Sequence, residues 1–282
     1  MRFSRSLLLL AVAVELMVAE RALVLSQPAE PPVRPFTIRV PEAALVDLKD
    51  RLARARFSSP LQGDGWTYGT DVRYLRELVD HWRDRFNWRA QEQHLNTFEQ
   101  FTTNIDGLSI HFIHRRSKQP RALPLLITHG WPGSFVEFAK IIGPLTDPAV
   151  YGGRAEDAFD VVIPSIPGFA FSDAPREPGY APARIAEIEA RLMARLGYTR
   201  YGVQGGDWGS IISTQVALND AAHVVGLHIN MCTGAAPAGT DPNAELSPSE
   251  IERVKQRQTF QAEDGIRDRR RLPPFRRAPP DR

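Results

Sequence analysis

The stretch YGVQGGDWGSIIS, residues 201–213, sets a lone aspartate, Asp207, between glycines, directly after a β-like run and directly before a helix-like one. Small residues on both sides of a central side chain suit a sharp strand-to-helix turn from which that side chain must project, the pattern Gly-x-nucleophile-x-Gly. Gly205 and Gly209 take the glycine places and Asp207 the nucleophile place. A Gly-Gly-Asp by itself is an ordinary turn. Its surroundings decide against that reading.

Upstream, buried-looking strands lead into turns and helices. PLLITHG precedes SFVEFAKIIGPL, FDVVIPSIPG leads towards PARIAEIEARLMARLG, YTRYGVQGG leads into SIISTQVALND, and VVGLHINM follows as a further strand. This alternation predicts an α/β fold with a mainly parallel sheet covered on both faces. FEQFTTNIDGLSIHFIHRR alternates apolar and polar residues on either side of Asp106-Gly107, which predicts an antiparallel hairpin leading into the sheet. Earlier still, PEAALVDLKDRLARARF and DVRYLRELVDHWRDRF are amphipathic helices, with Leu45, Leu48 and Leu52 on one stripe and Leu75, Leu78, Val79 and Trp82 on the other. SSPLQGDGWTYGT reads as the loop between them.

In such sheets the chemistry sits at the carboxyl ends of the strands. Three turns stand there: HGWPGS (129–134), PSIPGFAFSD (164–173) and GGDWGS (205–210). A serine attacking a saturated carbon would leave an ether that the site could not release, whereas a carboxylate leaves an ester that water can cleave. An aspartate at the elbow therefore points to alkyl substrates such as epoxides or alkyl halides. Hydrolysis of that ester passes through an oxyanion on Asp207, which needs preorganised donors. The expected donors are the backbone N–H of Trp208 and that of Trp131 in the HGWPG turn. Pro132 has no N–H to donate and fixes that turn. His129, Pro132 and Phe169 are the expected substrate-pocket residues.

Composition bounds the alternatives. The 282 residues are 43% apolar with net charge +2, and residues 251–282 hold 10 Lys/Arg against 5 Asp/Glu, so the tail carries +5 and the remainder −3. The basic balance thus gives the main body no nucleic-acid surface. The single cysteine, Cys232, rules out an intrachain disulfide and a cysteine-built metal site. His111 and His114 are three apart in a strand, hence on opposite faces, and no metal site is expected there. Arg2 and Arg5 ahead of the apolar run Leu7–Val14 resemble an export signal, which Glu15 and Glu20 interrupt. If it acts as one, the chain is exported or membrane-associated and starts near Gln27; otherwise it is cytoplasmic. The run is too short for the roughly 20 apolar residues that span a bilayer.

From about Phe36 to Gly234 the sequence resembles the microsomal-type epoxide hydrolases of the α/β-hydrolase fold. The resemblance lies in WTYG, FNWRAQEQHLNTFEQFTTNIDGLSIHFIHRRS, PLLITHGWPGSFVEF, PSIPGFAFSD, LGYTRYGVQGGDWGS and GLHINM. It implies an N-terminal extension wrapping the hydrolase domain, Asp207 opening the epoxide, and Trp131 and Trp208 forming the oxyanion hole. It implies a small apolar epoxide and water as reactants, and no cofactor. In GFAFSD, Ala170 stands where the family usually has glycine. The implied organisation is a signal-like segment (1–34), the helical extension (35–98), the N-terminal part of the hydrolase core (99–245), the start of a lid (246–263) and a tail expected to be disordered (264–282).

The resemblance also implies a histidine base, an acidic partner and two lid tyrosines. After Asp207 only His223 and His228 remain, both expected to be structural, and no tyrosine follows Tyr201. From Asp264 the chain turns to Arg and Pro, and QAEDGIRD reads as one frame of a common sequencing adapter. The expectation is a reading frame that leaves the family near Glu263, so that the chain forms the ester at best and stalls. A haloalkane-dehalogenase-like enzyme with the same aspartyl-ester chemistry and a noncatalytic fragment are the competing readings.

Overall fold

The computed structural model describes residues 32–59, 65–67, 69–232, 239, 241, 243–244 and 246–271, with side chains in the last helix described to 259. The chain divides between Met231 and Cys232 into two compact units. The signal-like reading of the first residues lies, through residue 31, outside the described residues.

The first unit is built on a seven-stranded sheet in the order β1-β2-β3-β5-β4-β6-β7. Its strands are β1 (Arg34–Phe36), β2 (Gln100–Ile105), β3 (Leu108–Arg115), β4 (Leu123–Thr128), β5 (Phe159–Pro164), β6 (Tyr201–Gly205) and β7 (Val224–Ile229). The expected hairpin is β2–β3, paired antiparallel with Ile105 opposite Leu108. Its two-residue turn is Asp106-Gly107, at φ 54° and 82°. Positive φ at both central positions matches the right-handed twist of the flanking strands. Strands β4, β5, β6 and β7 pair in parallel, and β3 joins them antiparallel through β5. The sheet is mixed, as an α/β sheet with an antiparallel lead-in should be.

Helices α1 (Glu42–Ala53), α2 (Val72–Asp84) and α3 (Trp88–Leu95) precede β2, α4 (Ala139–Thr146) follows β4, α5 (Pro182–Arg195) follows β5 and α6 (Trp208–Asn219) follows β6. One sheet face is covered by α5 and α6, with Leu126, Val162, Ile188, Leu192, Val203 and Ile212 at its core. The other face buries Ile113, Ile127, Phe135 and Ile142 together with Ile38 and Leu95 of the N-terminal extension. Alternation along β4 explains the division, since Leu126 and Ile127 point to opposite faces. The extension is also tied down by polar contacts: Asn96 exchanges two hydrogen bonds with the Ile38 backbone, and the Val40 N–H donates to Glu92 at 2.7 Å.

The apolar stripes of the lead-in helices are only partly covered. Leu45, Leu48 and Leu52 are half-buried, and so are Leu75 and Val79, while Leu78 and Trp82 stay exposed. Two elements were not anticipated. Strand β1 pairs with β2 through Arg34, Pro35 and Phe36, and α3 starts at Asn87, whose side chain accepts from the Ala90 N–H.

In the second unit, α7 runs Pro248–Arg271. Ser247 caps it, its Oγ accepting from the Glu250 N–H while Glu250 accepts from the Ser247 N–H at 2.8 Å. The expected disorder from Asp264 is corrected over residues 264–271, which continue the helix. Arginine is a good helix former and supplies four of these eight residues, against Gly265 and the weaker formers Asp264 and Asp268. Residues 272–282 lie outside the described residues. No described helix is long and apolar enough to cross a membrane.

Candidate active site

Strands β4 and β6 are neighbours and parallel, with Thr128 opposite Gly205. The chain moves from β4 outward to β5 and then across to β6 on the other side of β4. That reversal opens a crevice at the carboxyl ends of β4 and β6. The HGWPG and GGDWG turns emerge there side by side.

Asp207 occupies the bend before α6 at φ 52°, ψ −128°, a conformation that costs a non-glycine residue of order 1–3 kcal/mol. Glycines around it allow the close packing. A Cβ on Gly205 would stand 2.0 Å from the Gly209 carbonyl oxygen, and one on Gly209 would stand 2.1 Å from that of Thr128. A Cβ on Gly130 would sit 2.5 Å from Asp207 Oδ1. The three glycines therefore fix the elbow against the end of β4.

The Asp207 carboxylate is exposed and accepts the Trp131 N–H on Oδ1 at 2.8 Å. Backbone hydrogen bonds from Trp208 first and Trp131 second hold its pKa below the usual aspartate value. Asp207 is thus ionised at neutral pH, with Oδ1 held by the Trp131 N–H. The Trp131–Pro132 peptide is cis. Both tryptophan side chains are exposed, Trp131 at 67% and Trp208 at 48%, and neither is a core aromatic. Pro132 is exposed and Phe169 half-buried.

His129 departs from the expectation that it lines the pocket. It is fully buried. Its Nε2 accepts from the Ile166 N–H at 3.1 Å, which puts the ring proton on Nδ1, facing the Gly130 carbonyl at 3.0 Å. Burial lowers its pKa, so the ring is neutral. Both nitrogens are committed to holding the turn, and the ring packs on Phe169.

The PSIPGFAFSD turn is anchored to β3. Ser165 N–H donates to the His111 carbonyl at 2.8 Å, and the Asp173 carboxylate and backbone both bond Ser109. His111 bridges Gln100 and Ser165 at 2.9 Å each, and burial brings its pKa down to about 4. His114, on the opposite face as expected, meets the Tyr198 hydroxyl at 2.8 Å. This buried polar chain was not anticipated, because only the folded sheet brings Gln100, His111 and Ser165 together. His223 is exposed, pairs with Asp220 at 2.6 Å, and lies at the start of β6, the end opposite Asp207. His228 is exposed on β7 opposite Gln204.

The alpha/beta hydrolase fold family matches residues 124–269, more than half the chain and all of the elbow region. The chain belongs to the α/β-hydrolase superfamily. Ahead of the hydrolase fold, the epoxide hydrolase N terminus family matches residues 33–138. A Stigmatella aurantiaca protein provisionally named an epoxide hydrolase is 48% identical to this chain over 228 residues, 81% of this chain and 51% of that one. Epoxide hydrolase 1 of Sus scrofa is 43% identical over 203 residues, 71% of this chain and 45% of that one. The crystal structure of juvenile hormone epoxide hydrolase from Bombyx mori superposes with a TM-score of 0.73 at 35% identity, covering 85% of this chain and 59% of that one. The chain spans about half the length of the curated relatives it matches.

Proposed function

We propose that this chain carries the epoxide-opening half of an epoxide hydrolase, with Asp207 as nucleophile and the Trp131 and Trp208 N–H groups as oxyanion hole. The observation that carries the reading is the 2.8 Å bond from Trp131 N–H to Asp207 Oδ1. It leaves Oδ2 as the attacking atom. In the first step Oδ2 bonds to an epoxide carbon, the ring C–O bond breaks, and its electron pair goes to the alkoxide oxygen, which takes a proton from the medium or a neighbouring acid. Oδ1 is then the carbonyl oxygen of the ester and already sits against the Trp131 N–H. In the second step water adds to the Asp207 carbonyl carbon and gives up a proton to the medium as negative charge collects on Oδ1; the acyl–oxygen bond then breaks, the leaving alkoxide takes a proton to complete the vicinal diol, and the Asp207 carboxyl ionises again.

The pairing of an epoxide hydrolase N terminus with the hydrolase fold favours an epoxide over a haloalkane as substrate. Residues 35–98 act as the extension, 99–245 as the core around the elbow, and 246–263 as the beginning of a lid. Exposing the protein to an aryl epoxide in heavy-oxygen water separates the mechanisms. Ester formation takes up no solvent oxygen, and any hydrolysis that follows places one heavy oxygen in Asp207. Heavy oxygen in the diol on the first turnover, with none in Asp207, contradicts the covalent route.

A further inference from the structure

A second carboxyl group lies beneath the elbow. Glu189, on α5, is 2% exposed and accepts the Thr128 hydroxyl on Oε2 at 2.8 Å. Its Oε1 is buried with no hydrogen-bond partner among the described residues, and so is the Ser213 hydroxyl on α6. Thr128 and Gly205 are register partners in parallel strands, so the side-chain directions at these two positions lie on one sheet face about 5 Å apart. The Ser213 Oγ is 2.6 Å from where a Gly205 Cβ would be. Glu189 and Ser213 are thus tied to neighbouring positions at the carboxyl ends of β4 and β6, Glu189 through Thr128 and Ser213 through its approach to Gly205.

The surroundings favour a neutral carboxyl group. Leu126, Ile188, Leu192 and Ile212 make up the same core. From β6, Tyr201 is the nearest titratable group, and its hydroxyl donates to Asp220 at the end of α6 at 2.6 Å. From β4 and α6 come the uncharged Thr128 and Ser213. On α5 itself, Arg191 turns outward to Asp106 on the β2–β3 turn. With desolvation opposed only by the Thr128 hydrogen bond, the carboxyl is pushed up to about 8.

We propose that Glu189 is a positioning residue for the nucleophile elbow: its protonated carboxyl, accepting the Thr128 hydroxyl, sets where the end of β4 stands and hence where the Trp131 N–H meets Asp207, and loss of the proton, which makes Oε2 a stronger acceptor for that hydroxyl, shifts the contact. Thr128 precedes Trp131 by three residues, and its carbonyl lies flush against Gly209, two residues past Asp207. A shift of Thr128 therefore reaches both donors of the oxyanion hole. Only the catalytic consequence rests on Asp207 being the nucleophile; the coupling itself does not.

The test is an NMR titration of the full chain from pH 6 to 10, following the Trp131 amide and the Asp207 carboxyl carbon, with circular dichroism to confirm that the fold persists. Both resonances are expected to inflect near pH 8, the value to which Glu189 is raised. Glu189→Gln, which keeps the neutral shape, should hold both at their low-pH positions throughout. Thr128→Val should cut the inflection at Trp131 to less than half while Glu189 still titrates, and it decides the matter if Glu189→Gln does not fold. An inflection that persists in Glu189→Gln, one of unchanged size at Trp131 in Thr128→Val, or none in the folded wild type overturns the proposal. Ester formation at Asp207, assayed separately, reports on the epoxide reading independently of all three.

Discussion

Trp131 and Asp207 lie 76 residues apart in sequence and 2.8 Å apart in space, the backbone N–H of the first donating to Oδ1 of the second. The contact depends on Gly130, where a Cβ would come within 2.5 Å of the Asp207 side chain. Gly130→Ala should therefore displace the carboxylate and cut the rate of Asp207 alkylation by about a hundredfold, the scale of misplacing a reacting atom by about 1 Å. The melting temperature should fall only modestly. Single-turnover kinetics with an aryl epoxide beside a thermal melt measure both, and an unchanged alkylation rate would contradict the close approach.

Ala170 stands in the turn that follows β5, at φ 45°. An L residue with a Cβ pays of order 1 kcal/mol in the left-handed region, and glycine does not. Ala170→Gly should accordingly stabilise the chain, by somewhat less than that because glycine also gains entropy in the unfolded state. A urea unfolding midpoint lower than wild type would show that the turn is not strained at this residue.

Glu189 and His111 give stability a defined pH dependence. Glu189 has its folded pKa raised from 4.5 to about 8. Its contribution is fully present below 4.5 and is lost as pH rises through 8, because the unfolded chain ionises first. His111 has its folded pKa lowered from 6.5 to about 4, so stability is lost as pH falls through that interval. The two groups together favour the folded state most between about pH 5 and 6. Glu189→Gln should remove the alkaline limb, an effect of order a few kcal/mol. Urea unfolding at pH 5.5 and 8.5 checks this; equal slopes for wild type and variant would contradict it.

Strand β7 closes one edge of the sheet among the described residues, with Val225 and Leu227 exposed at 44% and 42%. Its outer backbone groups form a template for pairing with another chain. Val225→Lys should lower concentration-dependent association without moving the melting transition. Light scattering across a concentration series reads the effect, and unchanged scattering would remove β7 as the cause.

The features legible in the sequence are those that local chemistry dictates. Asp106-Gly107 between alternating runs specifies a hairpin, and the glycines around Asp207 admit only a tight bend. Features that depend on a distant partner were not legible. Strand β1 is three residues long and contains Pro35, so it shows no alternation of its own and exists because β2 offers it an edge. Glu189 sits among Arg and Glu residues in an amphipathic helix, and only its docking on Thr128, 61 residues upstream, sets it apart. Helix α3 did carry a local signal, Asn87 as its cap, but its eight residues are too few to display a period clearly. The pocket role expected of His129 failed for a related reason: the turn needs both ring nitrogens.

The central claim, that Asp207 attacks an epoxide carbon, is tested most directly by intact-mass measurement of the protein after brief exposure to styrene oxide, followed by peptide mapping. A single adduct with the mass of the epoxide, released by mild base, confined to the peptide holding Asp207 and absent from Asp207→Asn, is the expected result. An unmodified wild-type protein, or an adduct of equal yield in Asp207→Asn, would contradict it.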